Sequence, residues 1–272
     1  MISVKKLLVF FAAFIISGTL SALNPSREYA VRPDKYGMDY KEEKITLKDG
    51  AVINAWFFET SKKTTNWIVI SDDGDGNMAD NIEICSQFLS AGWNVAMYDY
   101  RGFGASSDFN IDPDTYIYPQ FVEDLNGILD YLRKSRAVTK FDLYGQYIGG
   151  GLALGVGANR PETRKMIADG PWLELEGMKK KLKEVKQKDV IIPFGYDKNK
   201  EPIYGCDKSR ANIKGVMIIV SPNDELLTPV DMKPLRCTTY TYVVTESPSN
   251  AKNFETDKNA YFEKVNKFLN AQ

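Results

Sequence analysis

The chain has 272 residues, 43% hydrophobic and 26% charged, with a formal net charge of -1. This composition excludes a disordered chain, and the near-neutral charge offers no electrostatic basis for binding nucleic acid. Histidine is absent, which excludes a serine–histidine–acid relay and removes the commonest metal ligand.

The N-terminal stretch MISVKKLLVFFAAFIISGTLSALN places Lys5 and Lys6 before an apolar run, Leu7 to Ile16, and closes on small residues ending in Ala22. This is the layout of a secretory signal, so residues 1–22 are predicted to be a signal peptide cut after Ala22, and residues 23–272 a single domain. No cysteine follows the run to suggest a lipid anchor. An uncleaved N-terminal membrane anchor is the alternative, but the uncharged stretch Leu7–Leu23 falls short of the roughly 20 residues a span needs. The chain is thus expected to be exported, periplasmic or extracellular, with no stable membrane span after cleavage. Removing two lysines takes the net charge to -1 - 2 = -3.

KITLKDGAVINAWFFET alternates apolar and polar residues around Asp49-Gly50 and predicts a β-hairpin. Residues 66–71 (NWIVIS) read as a buried strand, Met78–Ala91 as a helix stopped by Gly92, and 94–100 (NVAMYDY) as the next strand. Between Tyr116 and Lys134, Phe121, Leu125, Ile128, Leu129 and Leu132 recur at helical spacing. Strands at 140–145 and 165–170 flank a Gly- and Ala-rich helix, Ile148–Ala158. Residues 171–212 have a different texture, with six lysines between Lys179 and Lys188 and with Leu182 and Val185 as the main apolar residues there. Strands at 215–222 and 239–245, a short helix near Val230–Leu235 and a C-terminal helix from about Asn259 complete the pattern. Alternating strands and helices predict an α/β fold: a mostly parallel central sheet with helices on both faces, the hairpin at one edge, and 171–212 as a small helical cap insertion.

Of the three cysteines, Cys85 lies in an apolar helical pattern and is read as a core thiol. Cys206 and Cys237 are able to pair, but spacing alone does not decide it.

YDYRGFGAS (98–106) and the Gly-framed stretch GQYIG (145–149) give the chain a resemblance to the α/β-hydrolase superfamily. The similarity is to its serine aminopeptidase- and esterase-like branch, with an Asp-Tyr-Arg-Gly-x-Gly-x-Ser signature, and it extends over roughly residues 36–270. In that signature Asp99 ends a strand, Gly102 and Gly104 allow a tight loop, and Arg101 pins it. The resemblance implies a Gly-x-Ser-x-Gly nucleophile elbow. Here Tyr147 stands at the nucleophile position, at an expected cost of about 1–3 kcal/mol if it keeps the strained turn. The resemblance places the family's acid at Asp224 and its histidine within Ser247–Asn250, where this chain has none. The oxyanion loop falls on SDDGDGN (71–77), with Asp73 in place of a histidine and Asp75 and Ile148 at the positions of the backbone donors. A carboxylate there opposes a developing oxyanion.

A phenol needs a base or cation to become a nucleophile, and Ser106 and Ser107 lack a base and read as loop-capping hydroxyls. Asp72, Asp73, Asp75 and Asp224 could cluster, but DDGDGN lacks a full Ca²⁺-loop pattern, so neither metal nor cofactor is expected. Tyr147 with the aromatic residues Trp172, Phe194, Tyr196 and Tyr204 are candidates for a ligand cleft under the cap. The expectation is an exported hydrolase-fold protein without serine-hydrolase activity. It would bind a small molecule, peptide or protein partner in the cap cleft. The alternative is an active hydrolase of esters or peptides with Asp224 and the 72–75 acids at a rearranged site.

Overall fold

A computed structural model describes residues 23–206 and 212–271; the predicted signal segment lies outside them. In chain order the elements are β1 (Asn24–Pro25), β2 (Lys41–Thr46), β3 (Val52–Phe58), β4 (Trp67–Ser71), β5 (Asp75–Gly76), α1 (Ile82–Ala91), β6 (Asn94–Tyr98), α2 (Pro119–Ser135), β7 (Phe141–Gln146), α3 (Tyr147–Gly157), β8 (Thr163–Asp169), α4 (Leu175–Lys186), α5 (Pro202–Gly205), β9 (Gly215–Val220), β10 (Tyr240–Val243), α6 (Asn253–Thr256) and α7 (Lys258–Asn270). Eight strands form one sheet in the order β10-β9-β8-β7-β4-β6-β3-β2, and β1 pairs separately with β5. The hairpin β2–β3 is antiparallel at one edge, as is β3 against β6; the other pairs are parallel.

Central strands such as WIVIS and GVMIIV are buried along their whole length, because helices cover both faces. Strand alternation divides their side chains between two cores. Val69 joins Leu125, Leu129 and Leu152 on the face of α2 and α3, whereas Ile68 and Ile70 join Phe88, Tyr261 and Val265 on the face of α1 and α7.

Three local expectations change. Residues 230–235 form turns rather than a helix: Pro234 has no N–H to donate and disfavours helical backbone at Lys233. The second main helix begins at Pro119, where a proline's missing donor is harmless, and leaves Tyr116 outside. In the cap, α4 buries Leu175, Met178 and Leu182 at helical spacing, while Val185 is exposed.

Cys206, just after α5, is disulfide-bonded to Cys237 ahead of β10, which ties the cap to the sheet edge. Cys85 is a buried free thiol, and burial pushes its pKa up.

Candidate active-site cleft

The 99–107 loop is held from several sides. Arg101 donates to Asp124 on α2 at 2.8 and 2.6 Å and to Asp49 in the hairpin turn at 2.8 Å. Burial pushes the Asp124 carboxyl up to about 6, against the pull of Arg101. Asp99 accepts the Met78 amide at 3.0 Å and the Tyr29 hydroxyl. The Ser106 hydroxyl accepts the Asn54 amide and donates to the Asp99 carbonyl, and Ser107 accepts the Val52 amide. These hydroxyls are structural.

The elbow is intact. Tyr147 has φ 43°, a left-handed backbone that a tyrosine adopts only under constraint. The constraint comes from the flanking glycines. A Cβ on Gly145 would strike the Gly149 carbonyl, and one on Gly149 would strike the carbonyls of Ser71 and Asp72. Helix α3 therefore approaches β4 and β7 as closely as backbone allows, and the sharp turn is the only way to enter it.

A cleft of about 540 Å³ opens above the elbow. Tyr147, Ile148, Asp224, Asp73 and Asp75 all line it, so the loops bring these predicted positions together. Met178 and Leu182 of α4, with Tyr116, Leu226 and Leu227, supply its apolar surface. Trp172, Phe194 and Tyr196 are elsewhere. Trp172 is fully buried, donates to the Ile148 carbonyl and packs edge-on against Tyr116 and Tyr196. Phe194 projects entirely into solvent. Tyr204 lies on the surface, bonded to Glu174. Of the four aromatic residues, Trp172 and Tyr196 pack under the cap, and it is α4 that faces the cleft.

The basic run on α4 is largely neutralised: Lys179 and Lys183 pair with Asp189, Lys180 with Glu184, Lys181 with Asp231 and Lys186 with Glu225.

Asp224 is fully engaged by backbone. Its Oδ1 accepts the amides of Leu226 (2.9 Å) and Leu227 (2.8 Å), and its Oδ2 accepts the amide of Asn250 (2.9 Å). Asn250, inside the window where the family has histidine, is a buried connector: its side chain accepts the Ser221 amide at 2.7 Å and donates to the Leu227 carbonyl at 2.8 Å. An amide side chain thus joins the loop after β10 to the loop after β9.

Burial, reinforced by the carboxylates Asp224, Asp169 and Asp73, pushes the Tyr147 phenol well above its ordinary range. Lys186 and Lys188 line the same cleft, but burial and carboxylates dominate at the phenol, so the phenolate is disfavoured where a nucleophile would have to form. Burial also raises Asp73, to about 6, and raises the fully buried Asp72, with neighbouring carboxylates adding to both. Among the described residues no group of acidic or cysteine side chains is arranged to hold a metal ion.

Asp169, at the end of β8 behind the elbow, was not singled out by the sequence. It accepts from Asn253 at 2.6 Å and from the Tyr261 hydroxyl at 2.8 Å, and burial pushes it up to about 7. Its signal was an acid closing the otherwise apolar strand KMIAD.

A family model described as serine aminopeptidase, S33, matches residues 74–194. The sheet order and the cap insertion are those of solved α/β-hydrolase structures, so the chain has the α/β-hydrolase fold. The esterase Pf2001 of Pyrococcus furiosus superposes with a TM-score of 0.70 at 16% identity, covering 91% of this chain and 97% of that one. An esterase of Exiguobacterium antarcticum gives 0.60 at 14% identity, covering 85% and 100%. At these identities the likeness is one of fold. Among curated proteins, the chain is 25% identical over 159 residues to protein bem46 of Schizosaccharomyces pombe, covering 56% of this chain and 51% of that protein. It is 28% identical over 148 residues to the uncharacterized protein YfhR of Escherichia coli, covering 52% and 49%. The chain spans about half the length of the curated relatives it matches. Among the described residues no helix is long and apolar enough to cross a membrane.

Proposed function

We propose that this α/β-hydrolase-fold protein is exported, performs no serine-type hydrolysis, and uses the cleft above Tyr147 to bind a ligand. The observation that carries the reading is the wiring of Asp224. All three of its hydrogen bonds come from backbone amides, one of them from Asn250, so the acid holds loops and orients no base. The absence of histidine and the raised Tyr147 phenol support the same reading, since removing base and nucleophile leaves little for the acid to do. The Cys206–Cys237 disulfide supports export, because such bonds persist in oxidising compartments.

One observation favours a second reading, in which the site hydrolyses esters or peptides by other means. Asp73, raised to about 6 within the cleft, has a proton affinity suited to acid–base work near neutrality.

The test is a fluorophosphonate activity probe together with assays on short-chain aryl esters and aminoacyl amides. The proposal expects no labelling and no turnover, with ligands found by thermal shift. Turnover that disappears in Tyr147→Phe or Asp224→Asn overturns it; turnover lost only in Asp73→Asn establishes the second reading.

A further inference from the structure

We propose that the α-ammonium group created by cleavage after Ala22 docks on the acidic loop Asp72–Asp75, so that the processed N-terminus forms part of the cleft wall. This rests on the export reading, though not on the absence of catalysis.

Leu23, the residue after the predicted cut, is already seated. Leu23 is 1% exposed. Strand β1 runs parallel to β5 with Asn24 opposite Asp75, which sets Leu23 level with Gly74. The Asn24 amide donates to the Gly74 carbonyl at 2.9 Å, and its side chain donates to Asp75 Oδ1 at 2.8 Å. A Cβ on Gly74 would lie 2.9 Å from Leu23 Cδ2 and 3.2 Å from Ile148 Cγ1. The Leu23 side chain therefore sits against the oxyanion loop, close to the first turn of α3. The following residues hold it there: the Ser26 amide donates to Gly76, Gly104 donates to Ser26, and Arg27 reaches Asp108 at 3.0 Å.

The loop itself holds three carboxylates and no cation, while Lys188 lines the cleft and Lys252 lines the cavity on the loop's other side. Asp72 accepts the Gly74 amide and the Asn81 side chain, and Asp73 accepts the Asp75 amide. Their leading electrostatic neighbours are other carboxylates: Asp73, Asp80 and Asp99 around Asp72, and Asp75 and Asp80 around Asp73. Across the cleft, Tyr147 and Asp224 add no cation, Lys186 is paired with Glu225, and Lys188 donates to the Pro113 carbonyl at 3.2 Å. In an uncut chain the group preceding Leu23 is a neutral peptide. In a chain cut after Ala22 it is an ammonium, charged below its ordinary pKa near 8 and held one residue from Asp75's partner. Cleavage would thus add a cation on the strand paired with the loop itself, at the end of the cleft where a hydrolase stabilises its oxyanion.

The full coding chain is exported by a bacterial host, and the processed protein is sequenced from its N-terminus. Its α-amine is then titrated by competitive acetylation with acetic anhydride across pH. The expected first residue is Leu23. Its amine is expected to titrate about one unit or more above an ordinary chain terminus, and so to react about 10-fold more slowly at pH 7 than a free leucyl peptide. In the double variant Asp73→Asn, Asp75→Asn, which keeps the hydrogen-bond acceptors and removes the charges, the amine is expected to return to ordinary reactivity. A first residue other than Leu23 overturns the cleavage on which the inference rests. A Leu23 amine that titrates like a free peptide, or one whose slow reaction is unchanged in the double variant, overturns the docking itself.

Discussion

The elbow and the Asp224–Asn250 junction sit side by side at the same cleft and are held in different ways. The elbow is held by backbone packing. The junction is held by the side chains of Asp224 and Asn250. The elbow's geometry serves the packing of α3 on the sheet, where Gly145 and Gly149 leave no room for a Cβ, so it persists whatever residue stands at the tip. The junction, by contrast, is fastened by a side chain, since Asn250 accepts the Ser221 amide and donates to the Leu227 carbonyl.

Substitutions can break this contrast in order of expected effect. Gly149→Ala drives a methyl group into two carbonyl groups of the β4 end and is expected to cost more than about 3 kcal/mol in urea unfolding, or to prevent folding altogether. A loss below about 1 kcal/mol would mean that the elbow is not held by packing. At the junction, Asn250→Ala leaves the Ser221 amide and the Leu227 carbonyl unpaired in a buried site, with an expected loss of about 2–3 kcal/mol. A loss of only a few tenths would mean that this side chain is not the fastener.

Asp169, buried between the elbow and the final helices, adds a pH dependence. Its carboxyl titrates near 7 in the folded chain against an ordinary value of 3.8. Below about pH 4 both folded and unfolded chains hold the proton. Between pH 4 and 7 only the folded chain does, so this group's contribution to stability falls as pH rises through that window. Asp169→Asn is therefore expected to gain stability relative to the parent as pH rises from 5 to 8, by about 2 kcal/mol, read from melting temperatures or urea midpoints. A constant difference between the two proteins would show that Asp169 does not hold its proton to neutrality. The smallest effect is expected from Tyr147→Ser. It restores the hydroxyl at the tip but supplies no base, so fluorophosphonate labelling should stay at background. Strong labelling would place a base in the cleft that the wiring of Asp224 does not reveal.

The sequence by itself determined the α/β architecture, because buried strands and amphipathic helices write their burial directly into residue periodicity. The hairpin around Asp49-Gly50 and the helix stop at Gly92 were legible for the same local reason. It also determined that no histidine is available to the cleft, since that count needs no coordinates. Only the tertiary structure decided which residues face the cleft. Trp172 and Phe194 are both large aromatics in one insertion, yet one is fully buried and the other fully exposed, and composition cannot separate them. Asn250 and Asp169 act through partners distant in sequence, Leu227 and Tyr261 among them, and Leu23 through Gly74. Such contacts exist only once the loops after β4, β8, β9 and β10 are brought to one end of the sheet. Local pattern reports whether a residue is buried, and the arrangement of the loops decides what it is buried against.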